Sequence, residues 1–406
     1  MRTLLKGGMI YMPDGFRRMD ISIAEGKVFE VAGNINENNN YEKVIRCDNF
    51  FIMPGLIDVH VHFREPGFEY KETIATGSRA AARGGYTTVC TMPNLKPAPV
   101  DEETLKVQTD IIRKDAIVNI VPYGAITSNQ SGRGRLSDMQ AMADDVVAFT
   151  DDGKGVQKDT LMSQAMLTAK SLGKMIVAHC EDEHYPTEDP RSEWNQVARD
   201  ISLAMMNDCA YHVCHVSTGE SVDLVRAGKG AGVDVSCETA PHYLVFSSEE
   251  VPDEGRFKMN PPLRTAKDKA ALLAGIKDGT IEIIATDHAP HSAEEKKGGF
   301  ADSLFGVIGL ETAFPVLYTQ LVKKGEISLE HLVQLMSVNP ARRFSLPGGS
   351  LQVGAPADIA VIDLEAQYRI DPQTFSSKGR STPFSGMEVF GETVLTMVAG
   401  RIVYER

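Results

Sequence analysis

"LIDVHVHFREPG", residues 56–67, is an apolar run that carries two histidines two positions apart and then stops in a charged turn. In an extended strand positions i and i+2 face the same way, so His60 and His62 share one face. Seven further β-rich runs follow, at 86–94, 116–127, 146–153, 174–182, 210–218, 233–244 and 281–290. Most of the intervals hold a segment with apolar residues at three- and four-residue steps. The clearest are 101–115, 159–173, 194–208 and 265–279, and glycine lies near several of their ends. Strand then helix, eight times over, predicts a (β/α)8 barrel. An open doubly wound sheet is the alternative. It usually brings a glycine-rich phosphate loop, and neither G-x-G-x-x-G nor G-x-x-x-x-G-K-[ST] occurs.

The two ends of the chain read differently. Residues 21–33 and 394–405 each suggest two short strands around a glycine turn, and 354–365 adds another strand. Neither end has enough apolar residues to fold alone. Residues 1–52 and 344–406 are therefore expected to build one small β-sandwich beside a barrel of residues 53–343.

The bulk composition narrows the function classes. The 406 residues are 42% hydrophobic and 24% charged, an ordinary globular balance. A formal charge of -13 argues against nucleic-acid or anionic-membrane surfaces, which need basic patches. No apolar run approaches the roughly 20 residues that span a bilayer. The start, "MRTLLKGGMIYMPDG", is broken early by glycine and reads as mature protein. The six cysteines include no C-x-x-C pair and read as buried free thiols, so a reducing cytosol is the expected location.

Ionisable residues recur where the β-rich runs stop. Asp151 and Asp152 end the fourth, His179 the fifth, His215 the sixth, and Asp287, His288 and His291 the eighth. Barrels carry their active sites on the face where strands end, and an apolar run has little reason to finish this way unless something polar or cationic sits there. Histidines and carboxylates in this number suit a pair of borderline divalent ions such as zinc. Strand alternation lets only one of Asp151 and Asp152 point inward, and spacing does not choose between them. His212 lies an odd number of positions from His215, so in a regular strand it faces away. His184 and His331 read as surface or packing residues, and His242 stays ambiguous.

Taken together, "PGLIDVHVHFREPG", "TMPN", "FTDDG", "AHCED", "YHVCHVST", "ETAPHYL", "MNPPLR" and "ATDHAPH" closely resemble the bacterial class I dihydroorotases of the amidohydrolase superfamily. The resemblance covers essentially the whole chain. It implies metal ligands His60, His62, Asp152, His179, His215 and Asp287, and so favours Asp152 over Asp151. It implies about two zinc ions per chain, bridged by a hydroxide and by Asp152 where many relatives use a carboxylated lysine. The implied reaction is the reversible cyclisation of N-carbamoyl-L-aspartate to L-dihydroorotate in pyrimidine (UMP) synthesis, with Asp287 as general base and acid. Arg64, Asn94, Asn260 and His291 match positions that hold the substrate. The expected assembly is a homodimer, with aspartate carbamoyltransferase as the candidate partner.

One departure is plain: between "HCED" and "SEWNQVARD" only residues 183–191 remain, shorter than the family pattern. Two other functions stay in view. A hydantoinase or allantoinase opens a similar cyclic amide, but Arg64 and "FTDDG" favour dihydroorotase. A non-catalytic scaffold for aspartate carbamoyltransferase would have lost metal ligands, and all six are present.

Overall fold

The computed structural model describes residues 2–38 and 40–406. The chain opens with five strands: β1 (Arg2–Met12), β2 (Gly15–Ala24), β3 (Lys27–Ala32), β4 (Lys43–Arg46) and β5 (Phe51–Pro54). Nine strands follow through the middle: β6 (Leu56–Val61), β7 (Tyr86–Thr91), β8 (Asn119–Pro122), β9 (Gly124–Ala125), β10 (Phe149–Thr150), β11 (Ile176–Ala178), β12 (Tyr211–Val213), β13 (Val235–Thr239) and β14 (Ile283–Ile284). All pairings among these nine are parallel. Each of the eight β-rich runs thus contains a strand, the third of them as two short pieces on either side of Tyr123.

Six long helices lie between them: α1 (Ile74–Arg83), α2 (Glu102–Asp115), α3 (Asp159–Ser171), α4 (Arg191–Asn207), α5 (Gly219–Gly230) and α6 (Ala266–Lys277). Their starts are chemically marked. Asp101 accepts from Thr104 N ahead of α2, and Thr218 and Thr265 do the same for α5 and α6. Between β9 and β10 lie a short helix at Met139–Met142 and a 3-10 turn at Ala143–Asp145.

Period-two alternation sorts the strand residues onto two faces. Leu56, Val89, Ile176, Tyr211, Val213, Val235 and Ile284 pack outward with helix residues such as Ala80, Met162, Val197, Val222 and Leu272. Ile57, Val59, Cys90, Val177, Cys214, Ile283 and Ala285 form a separate inner cluster. The parallel strands form two arcs, β6-β7-β8 and β9 through β14. Residues 119–125 run through both, and at the other side a parallel bridge joins Val61 to His288, where His62 N donates to His288 O (2.8 Å).

The last three strands, β15 (Ile359–Arg369), β16 (Glu388–Val398) and β17 (Arg401–Glu405), return to the start of the chain. β5 pairs parallel with β1 and antiparallel with β15, so both chain ends share one eight-stranded sheet that is mostly antiparallel. That sheet bends back on itself. Its far strand β3 bridges Pro356 through Lys27, and Val28 N donates to Ala355 O (2.9 Å). Inside the bend Leu5, Ile10, Ile21, Ile23, Ile359, Val361 and Met397 share a second core. The opening strand β1 was not expected from the sequence: its glycines at 7 and 8 hide its pattern, and the pairing slips there. No helix among the described residues is long and apolar enough to cross a membrane.

Candidate metal centre

The first histidine pair owes its position to an irregular strand. Ile57 and Val59 belong to the inner cluster, but Val61 and Phe63 belong to the outer one. Pairing with β7 slips between Asp58 and Val61, which is how His60 and His62 come to face inward. On β11 and β14 simple alternation suffices. Val177 is inward and His179 follows by two, just as Ala285 is inward and Asp287 follows by two.

The side chains converge. His60 Nε2 lies 3.3 Å from Asp152 Oδ1 and 3.4 Å from Asp287 Oδ1, and His62 Nε2 lies 3.0 Å from Asp287 Oδ1 and 3.4 Å from Asp152 Oδ2. His215 Nε2 is 3.5 Å from Asp152 Oδ1, and His179 Nδ1 is 2.9 Å from His215 Nε2. All six residues are buried. Asp151 turns the other way, accepting from Ile126 N, Thr127 N and Gly132 N. The choice that spacing left open thus falls to Asp152 on geometry.

Three residues of the site have left-handed backbones: Arg64 (φ 58), His215 (φ 33) and Asp287 (φ 48). Each such conformation costs a non-glycine residue about 1–2 kcal/mol, a strain usual where geometry serves function. The φ of His215 also corrects the expectation for His212. Cys214, immediately after β12, is inward and so, by alternation, is His212; the left-handed residue then swings His215 inward as well. His212 is completely buried beneath the cluster and does not face away.

Do these groups suit a metal? His60 Nε2, Asp152 Oδ1 and His215 Nδ1 are buried and lack any hydrogen-bond partner. Such orphaned polar atoms are costly unless something else meets them. Two triads drawn from the six, His60–Asp152–His215 and His60–His62–Asp287, hold their ligand atoms within 4.8 Å of one another, as does a third group, His60–Cys214–Glu238. Imidazole nitrogens and carboxylate oxygens are the donors that borderline divalent ions take. The residues fit.

The outward nitrogen of three rings meets an acceptor, which fixes the tautomer that leaves the inward nitrogen bare. His60 Nδ1 donates to Glu238 Oε1 (2.6 Å), His62 Nδ1 to Asn94 Oδ1 (3.0 Å) and His179 Nε2 to Glu181 Oε2 (3.0 Å). Burial pushes the Glu238 carboxyl up, but the charge of His60 and the bond from His212 outweigh it and hold it at about 2. Glu181 is likewise held at about 2, burial being overcome by the His179 bond.

Arg64, Asn94, Asn260 and His291 all line one cavity of about 310 Å³ above the cluster. The hydrogen bonds of Arg64 engage only Nε, at Pro290 O (3.3 Å), and burial lowers its guanidinium to about 10. Asn260 Nδ2 donates to Glu181 Oε2 (3.1 Å). Both nitrogens of His291 are occupied: Lys71 Nζ donates to Nδ1 (3.2 Å), and Nε2 donates to Phe305 O (2.7 Å). Burial, with Arg64 and Lys71 nearby, lowers the His291 ring to about 3, so it is neutral. The shortened segment 183–191 is tied to the rim, where Thr187 Oγ1 donates to Glu181 Oε1 (2.6 Å) and Arg264 Nη1 to Glu188 O (2.8 Å). His242 is buried with Nε2 unpartnered but stands in neither triad. His184 is exposed.

Sequence reasoning missed Glu181, Glu238, Lys71 and Thr187. A signal existed for Glu238, since a lone carboxylate two residues after Ser236 in a buried strand demands a partner.

Comparison with known proteins adds to this geometry. Residues 51–403 match the model of the amidohydrolase family. A dihydroorotase of Fusobacterium nucleatum is 49% identical over 99% of this chain and 98% of its own length. One of Brevibacillus brevis is 48% identical over 95% of each chain, and one of Bacillus cytotoxicus is 46% identical over 100% and 99%. All three alignments, at 419, 408 and 426 residues, exceed the 406 of this chain, so those relatives carry residues it lacks. Among solved structures, an L-hydantoinase (dihydropyrimidinase) from Arthrobacter aurescens superposes with a TM-score of 0.88 at 27% identity, covering 99% of this chain and 96% of that one. A dihydropyrimidinase from Brevibacillus agri superposes at 0.89 with 23% identity over 100% and 95%, a likeness of fold.

Proposed function

This chain belongs to the amidohydrolase family, and on that premise we propose that it is a dihydroorotase, interconverting N-carbamoyl-L-aspartate and L-dihydroorotate in pyrimidine synthesis. One observation carries the reading: inward imidazoles and carboxylates converge on the floor of a cavity whose wall bears the Arg64 guanidinium. We take the two parallel arcs as one closed barrel of residues 53–343, and the sheet of residues 1–52 and 344–406 as its composite sandwich. The Val61–His288 bridge and the return of β3 to Pro356 support that division. Six buried, unpaired cysteines support a cytosolic location.

His60, His62, His179, His215, Asp152 and Asp287 would hold about two divalent ions, zinc by donor type, with Asp152 turning one oxygen toward His62 and the other toward His215. Such ions, when bound, supply polarisation of a carbonyl oxygen and water of depressed pKa. The chain's own groups do the rest. Arg64 pairs with the carboxylate beside the ring and so turns the ring carbonyl toward the floor. Asn94 has its Oδ1 engaged by His62, which leaves Nδ2 as the end that donates to substrate. Asp287 turns Oδ1 toward His60 and His62; we assign Oδ2 to carry the proton from the attacking water to the ring nitrogen. In ring closure the same oxygen takes the proton from the carbamoyl nitrogen and gives it to the departing water.

The likeness to an L-hydantoinase favours a second reading, a cyclic amidohydrolase for uncharged rings. Arg64 speaks against it, because hydantoin carries no carboxylate to pair. The deciding experiment measures metal content and follows dihydroorotate and hydantoin hydrolysis in the ultraviolet with purified protein. Turnover of dihydroorotate by protein containing about two zinc ions is expected. Hydantoin turnover without dihydroorotate turnover would hand the site to the second reading.

A further inference from the structure

The layer directly beneath the ligand cluster is polar, where an enclosed core would ordinarily hold branched apolar residues. His60, Glu238, His212 and Ser236 make it, and all four are at most 1% exposed. A carboxylate this deep is costly unless its charge is met by donors. Glu238 has two: His60 Nδ1 at 2.6 Å from Oε1, and His212 Nε2 at 3.2 Å from Oε2. We propose that Glu238 is a positioning residue which, braced by His212 and Ser236, holds His60 in the tautomer whose Nε2 is bare toward Asp152 and Asp287.

Direction follows from charge. An ionised carboxylate only accepts, so both facing ring nitrogens must carry hydrogen. His212 Nδ1 is then the bare nitrogen of its ring, and Ser236 Oγ, 2.7 Å away, must donate to it. The chain of donors thus runs from Ser236 through His212 to Glu238, and from His60 to the same carboxylate. Reversing any member would place two hydrogens or two lone pairs face to face. His212 also stacks edge-on against Phe344 (ring centroids 5.1 Å apart), which limits the ring turn that would undo the order. A carboxylate on the far nitrogen raises the basicity of the near one, so Glu238 also tightens whatever ion His60 holds.

The inference rests on the metal-centre reading, and two measurements separate the failure of one from the failure of the other. Histidine-labelled, metal-free protein is examined by nitrogen-detected NMR. His60 is expected with hydrogen on Nδ1 in wild type, its proton shifted downfield by the short bond, and with that shift lost in Glu238→Gln. Zinc binding to both proteins is then titrated against a competing chelator. Glu238→Gln is expected to bind zinc about 10- to 100-fold more weakly, and His212→Asn to fall between it and wild type. A wild-type His60 without hydrogen on Nδ1, or equal zinc affinity in folded Glu238→Gln, would overturn the proposal. Wild type that binds no zinc while showing the expected His60 tautomer would sink the metal centre instead and leave the positioning bond standing.

Discussion

As far as Ile57, Val177 and Ile283 the enclosed strands present apolar side chains to one another; beyond these residues the same strands end in imidazoles, carboxylates and left-handed backbone. The lower part is ordinary core, in which alternation alone decides which residue faces in. The upper part breaks regularity twice to turn ligands inward, with the slip after Asp58 and the left-handed residue His215. The two levels divide the labour. Stability is built low, where side chains interlock. Chemistry is built high, where the backbone is strained to aim groups that would not otherwise meet.

The comparison breaks if substitutions low and high have the same effect. The largest effect expected is on stability, from Ile283→Ala in the fully buried lower layer. It should cost about 2–5 kcal/mol in denaturant unfolding while the surviving folded protein keeps most of its turnover. A comparable loss of turnover at full folding would mean that the two levels are not separable. Next comes Asp287→Asn, which should slow both reaction directions by at least about 100-fold with the unfolding midpoint little changed. Zinc content must be measured alongside, because Asp287 belongs to a ligand triad. A near-normal rate would move the proton carrier elsewhere.

Arg64→Met sharpens the contrast within the upper level. Removing a charge-assisted bond worth about 1.5–3 kcal/mol should lower kcat/KM for dihydroorotate by roughly 10- to 100-fold. Zinc content should stay normal, since a protonated guanidinium offers no lone pair to an ion. Equal kcat/KM in mutant and wild type would remove Arg64 as the carboxylate anchor and revive the hydantoinase-like reading.

The smallest effect concerns the rim. Lys296 Nζ donates to Lys258 O (2.9 Å) and Leu304 O (2.7 Å), and burial, with the charge of Lys258, lowers it from 10.5 to about 7. Between those values the unfolded chain binds a proton that the folded chain lacks. Stability therefore rises with pH across that window, and the penalty is complete below about 7. The two carbonyl acceptors favour the charged form, so the slope should be a fraction of the ~1.4 kcal/mol per pH unit that one proton supplies. Thermal unfolding of wild type and Lys296→Met at several pH values tests this; parallel curves would refute it.

Much of this was legible because period-two and helical spacing are local. The eight runs, the paired strands at both ends and the recurrence of His and Asp at strand ends all rest on such patterns. The rest depended on events no spacing encodes. The facing of His212 turned on one backbone angle at His215. Spacing could not separate Asp151 from Asp152, which the resemblance favoured; in the fold, amides contributed from residues 126–132 turn Asp151 away. Glu238 was hidden because its partners, His60 and His212, come from other strands, and pairing between strands cannot be read along one chain.

The shared end sheet gives the molecule a history as well as a shape. β5 has β1 on one side from the outset, but its other neighbour, β15, lies at the far end of the chain. At about 5–20 residues per second, a ribosome leaves that edge open for roughly 15–60 seconds. During that wait the apolar residues of the first five strands lack the partners supplied from residues 351–397, the kind of exposure that chaperones cover and proteases exploit. A chain stopped short of residue 359 never gains β15, so this pairing makes completion of synthesis a condition for closing the sheet.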